Sequence, residues 1–329
     1  MADTPPAPGS RVFQWAQENG EVGGVLTSHR QLTDQLRRAG MLVEYVDTGS
    51  PARALGTVPR LGGRRSLHLF HITRLWRAAV LAPVFALLPG RTGLVLHSGS
   101  VARQLSRGGR ARRALLGATL HAYDEIWAVN DQIRTVLPLD LKDRVRVVTP
   151  FSADASSGEP VSRNEPERDP HLLSVTTNAG LPHYNADLAV EAVRLVRHDW
   201  RDARLRVLAY GADGERLARF RASVAGLDWV ETTFDASPAD VADVLRRSAV
   251  FLRPTSWDGD SVVVREALAA GARVVAADTA PRPAGVEVSQ LDARAFATAV
   301  LRGGPVSDGS GLSAVSMLDA AMGALRHLG

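Results

Sequence analysis

The sequence predicts an α/β protein built from two doubly wound parallel-sheet domains, and three observations carry that expectation. At 329 residues the chain is too long for one ordinary core and about right for two. Short apolar runs alternate with amphipathic segments along both halves, as strands and crossover helices do. Between the halves, Phe151 to Pro170 is rich in Ser, Pro, Glu and Asp and poor in apolar residues, which is the composition of a linker. The reading is therefore a tail over 1–10, domains over 11–152 and 171–310, a linker over 153–170 and a closing segment over 311–329.

In the first half Val12 to Trp15 reads as a strand, and Gly20 to Gly24 as a loop. Thr27 to Ala39 reads as a helix, with Leu32, Leu36 and Ala39 at helical spacing and Gly40 as its stop. Val43 to Val46 and Gly93 to His97 follow as strands, Gln104 to Ala122 as one basic amphipathic helix, and Glu125 to Val129 and Val145 to Thr149 as strands. The second half repeats the alternation. Its strands are Leu172–Thr176, Leu205–Ala209, Trp229–Thr232, Ala249–Leu252 and Arg273–Ala277; its helices are Ala186–Arg197, Gly214–Ala225, Ala239–Arg247 and Ser261–Ala270. Ser313 to Leu328 is a last amphipathic helix.

Composition excludes several classes. The formal charge of +4 is small for this length and is distributed over many short runs, so it does not mark a nucleic-acid binder. The absence of cysteine excludes disulfides, thiolate catalysis and cysteine metal sites, and it fits a reducing compartment, so the expected location is cytoplasmic. The first ten residues lack the basic start and apolar core of an export signal. Leu75 to Leu88 is apolar apart from Arg77, yet it is shorter than the roughly 18 to 20 residues a membrane span needs and Pro83 interrupts it. It reads as a buried helix, with a peripheral membrane contact as the alternative because Trp76 and arginines adjoin it. His29, His121 and His198 read as helix-surface residues, and Asp124, Asp154 and His171 have no metal-ligand spacing, so no metal is expected.

The chemistry concentrates in Arg253 to Gly271, which leaves a buried strand at the edge of a parallel sheet where ligands bind. Asp258 and Asp260 flank Gly259, whose missing side chain lets backbone approach a ligand. Ser261 is suited to cap the next helix, whose first amides, at Ser261, Val262 and Val263, would offer a diphosphate the positive end of the helix dipole. Glu266, about a turn and a half further on, can face the same cleft and accept two hydrogen bonds from vicinal hydroxyls, as a ribose offers. Gly271 closes the helix. The competing reading of the loop is structural: a helix cap with Asp258 and Asp260 paired to Arg253 or Arg265.

Pro254, Thr255, Asp258, Gly259, Glu266, Ala267 and Gly271 resemble the signature of glycosyltransferase family 4. Asp258 stands where that family usually has glutamate. Arg-Pro-Thr, Asp-Gly-Asp-Ser and Arg-Glu-Ala-Leu, with Asp278, Arg282 and Pro283 beyond, resemble its bacterial surface-polysaccharide and natural-product branch. The resemblance implies a GT-B fold, two Rossmann-like domains facing a cleft, with the closing helix packed back on the first domain. It also implies that Glu266 binds the nucleotide ribose, that Asp258 meets hydroxyls of the transferred sugar, and that the amides of Asp260, Ser261 and Val262 meet sugar or diphosphate. Tyr184 to Ala192 is similar to the family's Lys-Gly-hydrophobic-Asp helix start, and Gly211 and Gly214 to its next turn. The basic pair that clamps the diphosphate is absent: Tyr184 stands near the lysine's place, and Thr177 or Asn178 near the arginine's. Phosphate binding then moves to amides, His183 and Arg253, or donor binding is impaired. In the first domain His97-Ser98-Gly99-Ser100 resembles the family's histidine facing the donor sugar, Gly23-Gly24 its first loop, and Glu125 to Asn130 its late strand. An ordinary strand-end histidine and an ordinary loop are the alternatives.

The resemblance implies a retaining transferase that takes a nucleoside-diphosphate sugar as co-substrate, with no cofactor and no metal, His97 and Asp258 positioning the sugar. Two rivals share the fold: a nucleotide-sugar epimerase or hydrolase, and a non-catalytic nucleotide-binding or partner protein. A nicotinamide dehydrogenase is disfavoured, because no Gly-x-Gly-x-x-Gly turn follows either first strand.

Overall fold

The computed structural model describes residues 10–17, 24–49, 65–85, 88–107, 109–151, 167–178, 181–210, 214–303 and 315–326. The expectations for residues 1–9, 20–23, 153–166, 211 and 313 lie outside the described residues. The chain divides into two compact units, residues 1–155 with 314–329, and residues 156–313.

The first unit holds a parallel sheet of seven strands: β1 (Arg11–Ala16), β2 (Leu42–Asp47), β3 (Ser66–Ile72), β4 (Arg91–Leu96), β5 (Glu125–Ala128), β6 (Val145–Thr149) and β13 (Val315–Ser316), in the order β13-β6-β5-β4-β3-β1-β2. Helices α1 (Gly24–Arg38), α2 (Leu75–Phe85), α3 (Val101–Ser106), α4 (Arg110–His121) and α5 (Asp131–Val136) connect them. The central strands are buried on both faces and read as near-continuous apolar runs, which is what helices on two sides require. The last helix, α11 (Met317–Arg326), turns Met317, Ala320, Ala321, Ala324 and Leu325 into this same core, where its alanines allow close approach to β3 and β6.

Two sequence expectations change here. The single helix over 104–122 is two helices, because the chain runs extended at Arg107 (φ −76°, ψ 139°) and again at Gly109 (φ −69°, ψ 174°). The central strand β3 is new. Its histidines hide it from an apolar-run reading, yet all seven of its residues are buried. His68 is accommodated as a neutral ring: Trp15 Nε1 donates to its Nδ1 at 3.2 Å, its Nε2 lies 3.0 Å from the Pro89 carbonyl, and it stacks on Phe13 at 4.8 Å. Burial pushes its pKa down to about 4 despite the Pro89 contact.

The second unit holds a parallel sheet of six strands: β7 (Asp169–Thr177), β8 (Arg204–Ala209), β9 (Val230–Phe234), β10 (Ser248–Arg253), β11 (Arg273–Ala277) and β12 (Val286–Ser289), ordered β12-β11-β10-β7-β8-β9. Its helices are α6 (Ala186–Val196), α7 (Glu215–Val224), α8 (Pro238–Arg247), α9 (Val262–Ala269) and α10 (Ala293–Arg302). Strand β12 and helix α10 extend the alternation beyond the last strand expected from sequence. Asp292 starts α10 by accepting from the amides of Arg294 (2.9 Å) and Ala295 (3.0 Å). Helix α8 opens on a capping box in which Ser237 and Asp240 satisfy each other's backbone amides.

Each order places a switch point where the chain winds off in opposite directions, between β1 and β3 in the first sheet and between β7 and β10 in the second. Ligands of doubly wound sheets bind outside the carboxyl ends of the strands at such points. The strand ends there are Ala16, Ile72, Thr177 and Arg253.

One position of the first sheet tolerates only glycine. Gly90 precedes β4 with φ +101°, and a Cβ built there meets the Ser66 carbonyl oxygen at 2.1 Å. We expect Gly90→Ala to lower stability by about 2 kcal/mol or more, read as a fall in the thermal unfolding midpoint.

Candidate functional site

At the carboxyl end of β10 the side chain of Arg253 turns back on Asp258. Its Nε donates to Asp258 Oδ2 at 2.9 Å and its Nη2 to Oδ1 at 3.2 Å, a bidentate fork. Arg282 joins from the loop after β11, its Nη1 donating to Asp258 Oδ2 at 3.1 Å while its Nε and Nη2 reach the Ala277 carbonyl. The Thr255 hydroxyl and the Gly259 amide also donate to the carboxylate, at 3.3 and 3.1 Å. All three charged side chains are buried, with exposures of 7% for Arg253, 11% for Asp258 and 3% for Arg282. Burial opposes ionisation of Asp258, but the two guanidiniums outweigh it and hold the carboxyl down at about 2. Burial likewise works against the charge on Arg253, yet Asp258 keeps its pKa above the ordinary arginine value.

The loop is thus an Arg–Asp–Arg knot carrying one net positive charge. Asp258 presents no free oxygen to a sugar, and a sugar-facing role requires these bonds to open. Asp260 is paired too, both its oxygens accepting from Arg265 Nε at 2.8 and 3.0 Å. The ion pairs that the structural reading of the loop calls for are therefore present. What they leave unpaired is backbone. The amides of Ser261, Val262 and Val263, at the start of α9, meet no acceptor among the described residues. Ser261 occupies the cap position, but its hydroxyl does not cap: Oγ is buried and has no hydrogen-bond partner. Glu266 lies further along α9, half-buried, with no ion pair or hydrogen bond to its carboxylate among the described residues, and desolvation raises its pKa to about 7. Gly271 ends the helix at φ +76°.

A second layer, unread from sequence, fixes the loop. Asn185 adopts the left-handed conformation (φ 48°) where the resembled family has glycine, the one other residue class that enters it readily. Its Nδ2 donates to the Pro254 carbonyl and the Ser256 hydroxyl, both at 2.8 Å. His183 stacks on Trp257 at 4.3 Å and 14°, and its carbonyl accepts from the Ser256 amide at 2.8 Å. Tyr184, near the missing lysine, lies under the Arg253 guanidinium at 5.1 Å and shares a 2.8 Å hydrogen bond with Tyr210. Asn178 follows the end of β7, half-buried at the same sheet edge.

At the switch point of the first sheet stand three imidazoles. His97 Nε2 lies 2.9 Å from His71 Nδ1, the rings stacked at 5.2 Å, and His29 sits behind them, 6.0 Å from His71 and stacked on Tyr45 at 5.2 Å. His29, expected on a helix surface, is 6% exposed. Burial keeps the cluster neutral, helped at His71 and His97 by repulsion from the neighbouring imidazoles and at His29 by Arg30: His97 falls to about 3, His29 to about 4, and His71 well below the ordinary value. Both ring nitrogens of His29 and Nε2 of His71 are buried without partners. Gly24 is the exposed first residue of α1, and Gly23 lies outside the described residues. Among the described residues no group of three or more His, Cys, Asp or Glu is arranged to hold a metal ion.

Two doubly wound sheets, each with polar groups gathered at its switch point, define an α/β protein of the GT-B fold. Residues 170–303, within the second unit, match the family model described as Glycosyl transferases group 1. Among solved structures, the Anabaena protein HepE in complex with UDP superposes with a TM-score of 0.61 at 11% identity, over 89% of either chain. The α,α-trehalose 6-phosphate synthase of Burkholderia multivorans gives 0.59 at 13%, over 97% of this chain and 94% of that one. The pneumococcal O-GlcNAc transferase GtfA, in complex with UDP and GlcNAc, gives 0.53 at 14%, over 69% of this chain. The present chain spans only 45% of the length of that last protein. No curated protein matches the sequence.

Two outcomes follow from the geometry. Asp258→Asn leaves two buried guanidiniums without their counter-ion and should cost about 3–5 kcal/mol in urea unfolding. The contribution of Asp258 is present above the ordinary aspartate pKa and is lost as pH falls toward about 2, so the variant and parent should converge in acid. In the first unit, one proton is shared between His71 Nδ1 and His97 Nε2. A buried orphan N–H is rarer than a buried orphan acceptor, so His71 donates and His97 carries its own proton on Nδ1. Nitrogen-15 NMR of the imidazoles should show that tautomer, and His71→Leu should shift His97 toward the Nε2-protonated form.

Proposed function

We propose that this protein is a retaining glycosyltransferase that moves a sugar from a nucleoside-diphosphate sugar to an acceptor hydroxyl in glycan or natural-product biosynthesis, without a metal or a separate cofactor. The observation that carries the reading is the pairing of unlike groups on α9. Three unpaired amides and the Ser261 hydroxyl at its start suit an anionic diphosphate, and the unpartnered Glu266 carboxylate beyond them suits a vicinal diol. A nucleoside diphosphate presents both. The family match over 170–303 supports the same reading, as do UDP-bound neighbours of like fold. The cysteine-free sequence supports a cytoplasmic location.

In this reading the Arg–Asp–Arg knot does the work of the absent basic clamp. Its net positive charge and the helix dipole stabilise the leaving diphosphate through preorganised groups, which is the kind of stabilisation that lowers a barrier without reorganisation during reaction. Asp258 acts by holding Arg253 and Arg282 in place, and the Gly259, Asp260, Ser261 and Val262 backbone meets diphosphate or sugar. In the first unit His97 offers a neutral imidazole hydrogen bond to a sugar or acceptor hydroxyl.

Turnover with an acceptor panel separates this reading from its rivals: an acceptor-dependent glycoside of unchanged anomeric configuration supports it, and a donor altered with no acceptor present replaces it with epimerisation. The decisive residue is Glu266. Its folded pKa of about 7 lies above the unfolded value, so ionisation costs stability as pH rises toward 7, and Glu266→Gln should unfold no more readily than the parent at pH 8. The carboxylate is the form that accepts two hydroxyl donors. Calorimetric affinity for an intact nucleoside-diphosphate sugar, whose diphosphate does not titrate in this range, should therefore rise about tenfold from pH 6 to pH 8. Glu266→Gln should bind weakly and without that slope; a parent affinity flat in pH removes the ribose assignment.

A further inference from the structure

The formal charge of +4 conceals an asymmetry. Between Asp47 and Asp124 the sequence contains twelve arginines, no lysine and no acidic residue, so that segment carries +12 and the rest of the chain −8. Two of its helices, α2 and α4, pack against each other on the first unit. Leu75 and Ala78 bury one side of α2, while Trp76 and Val80, one turn apart, stand 48% and 62% exposed on another. On α4, Leu115 is 58% exposed and the whole first turn and a half, from Arg110, faces solvent. Arg74, Arg107, Arg110, Arg112 and Arg113 are exposed, and none has an acidic partner among the described residues. The tie between α3 and α4 uses an arginine without spending its charge, Arg112 Nη1 donating to the Arg107 carbonyl at 2.6 Å. No helix among the described residues is long and apolar enough to cross a membrane.

We infer that this face of α2 and α4 docks on an anionic bilayer surface, the arginines meeting lipid phosphates and Trp76, Val80 and Leu115 entering the boundary between headgroups and acyl chains. Trp76 and Val80 stand bare on α2 and Leu115 on the adjacent α4, and entry into the boundary between headgroups and acyl chains recovers the free energy that their exposure to water loses. Guanidiniums beside an interfacial tryptophan match the two layers of an anionic membrane, charge outside and hydrocarbon beneath. A nucleic acid would use the same arginines, but its backbone gives Val80 and Leu115 nothing to bury against. The acid-free composition also removes the like-charge repulsion that an anionic surface exerts on ordinary protein faces.

Co-sedimentation of the full chain with vesicles tests this. The parent should bind vesicles of phosphatidylcholine mixed with phosphatidylglycerol at least tenfold more tightly than vesicles of phosphatidylcholine alone, and high salt should weaken the binding without abolishing it. Arg110→Gln/Arg112→Gln/Arg113→Gln should remove most of the preference for anionic lipid. Trp76→Ser should remove the part that survives salt. Arg216→Gln/Arg219→Gln, exposed on α7 of the second unit, should change nothing. Circular dichroism confirms that each variant folds. Equal binding to both vesicle types overturns the proposal. So does binding that Trp76→Ser leaves intact while short duplex DNA competes it away, which assigns the arginines to a nucleic acid instead.

Discussion

The shape of the candidate donor site rests on one buried carboxylate shared by two guanidiniums. Asp258 draws Arg253 from the end of β10 and Arg282 from the loop after β11 to a single point, 2.9 and 3.1 Å from the same oxygen. Ion pairs of this kind gain little net stability, because desolvation offsets the attraction, and their use lies in geometry. Here the geometry they specify is a loop that crosses the carboxyl edge of the sheet and delivers the chain to α9 with its first amides unspent. If Asp258 capped α9 itself, those amides would be consumed. Because it faces the arginines, Ser261 holds the cap position with an idle hydroxyl, and the first amides of α9 stay unpaired among the described residues.

The first unit solves a similar problem without charge. Its switch point gathers His29, His71 and His97, and burial makes each more stable neutral than protonated. A neutral imidazole is both donor and acceptor, so a pair of them can pass orientation along a line: whichever nitrogen of His71 is occupied determines which nitrogen of His97 is free. The two units thus hold their switch-point groups in opposite ways, the second by pairing of charges and the first by neutral hydrogen-bonding rings.

Local pattern made much of this legible. Strand β10, helix α9 and the stop at Gly271 follow from an apolar run, helical periodicity and a glycine, each a feature of neighbours in sequence. Most of the differences are features of distance. β3 reads poorly because its two histidines look polar until Trp15, 53 residues away, donates to one and His97, 26 residues away, meets the other. His29 was placed on a surface because a helix face cannot be assigned before its neighbours are known. Arg282 was visible beside Pro283 but had no role until the fold set it against Asp258, 24 residues away. Asn185 carried a usable signal, since asparagine in a glycine's place is one of the few substitutions that keeps a left-handed residue. The break between α3 and α4 is also readable, from the Gly108-Gly109 pair within residues 104–122.

Electrostatics connects the loop to Glu266. The knot contributes one positive charge and the start of α9 roughly half a charge more, against the two negative charges of a diphosphate. An ionised Glu266 on the same helix adds to the negative side, which is consistent with a carboxyl that burial already keeps near pH 7. Among the described residues no arginine or amide reaches its anion. In the proposed reading that stabilisation comes from a ligand that donates to the carboxylate while its phosphates meet the start of α9. A ribose bearing a diphosphate has that layout. Free phosphate, by contrast, would occupy the amides and leave Glu266 protonated and unmet. In the proposed reading, selectivity for a nucleotide over a simple anion comes from the Glu266 carboxylate, which has no partner among the described residues, while the Arg–Asp–Arg knot supplies the positive charge that any phosphate would meet.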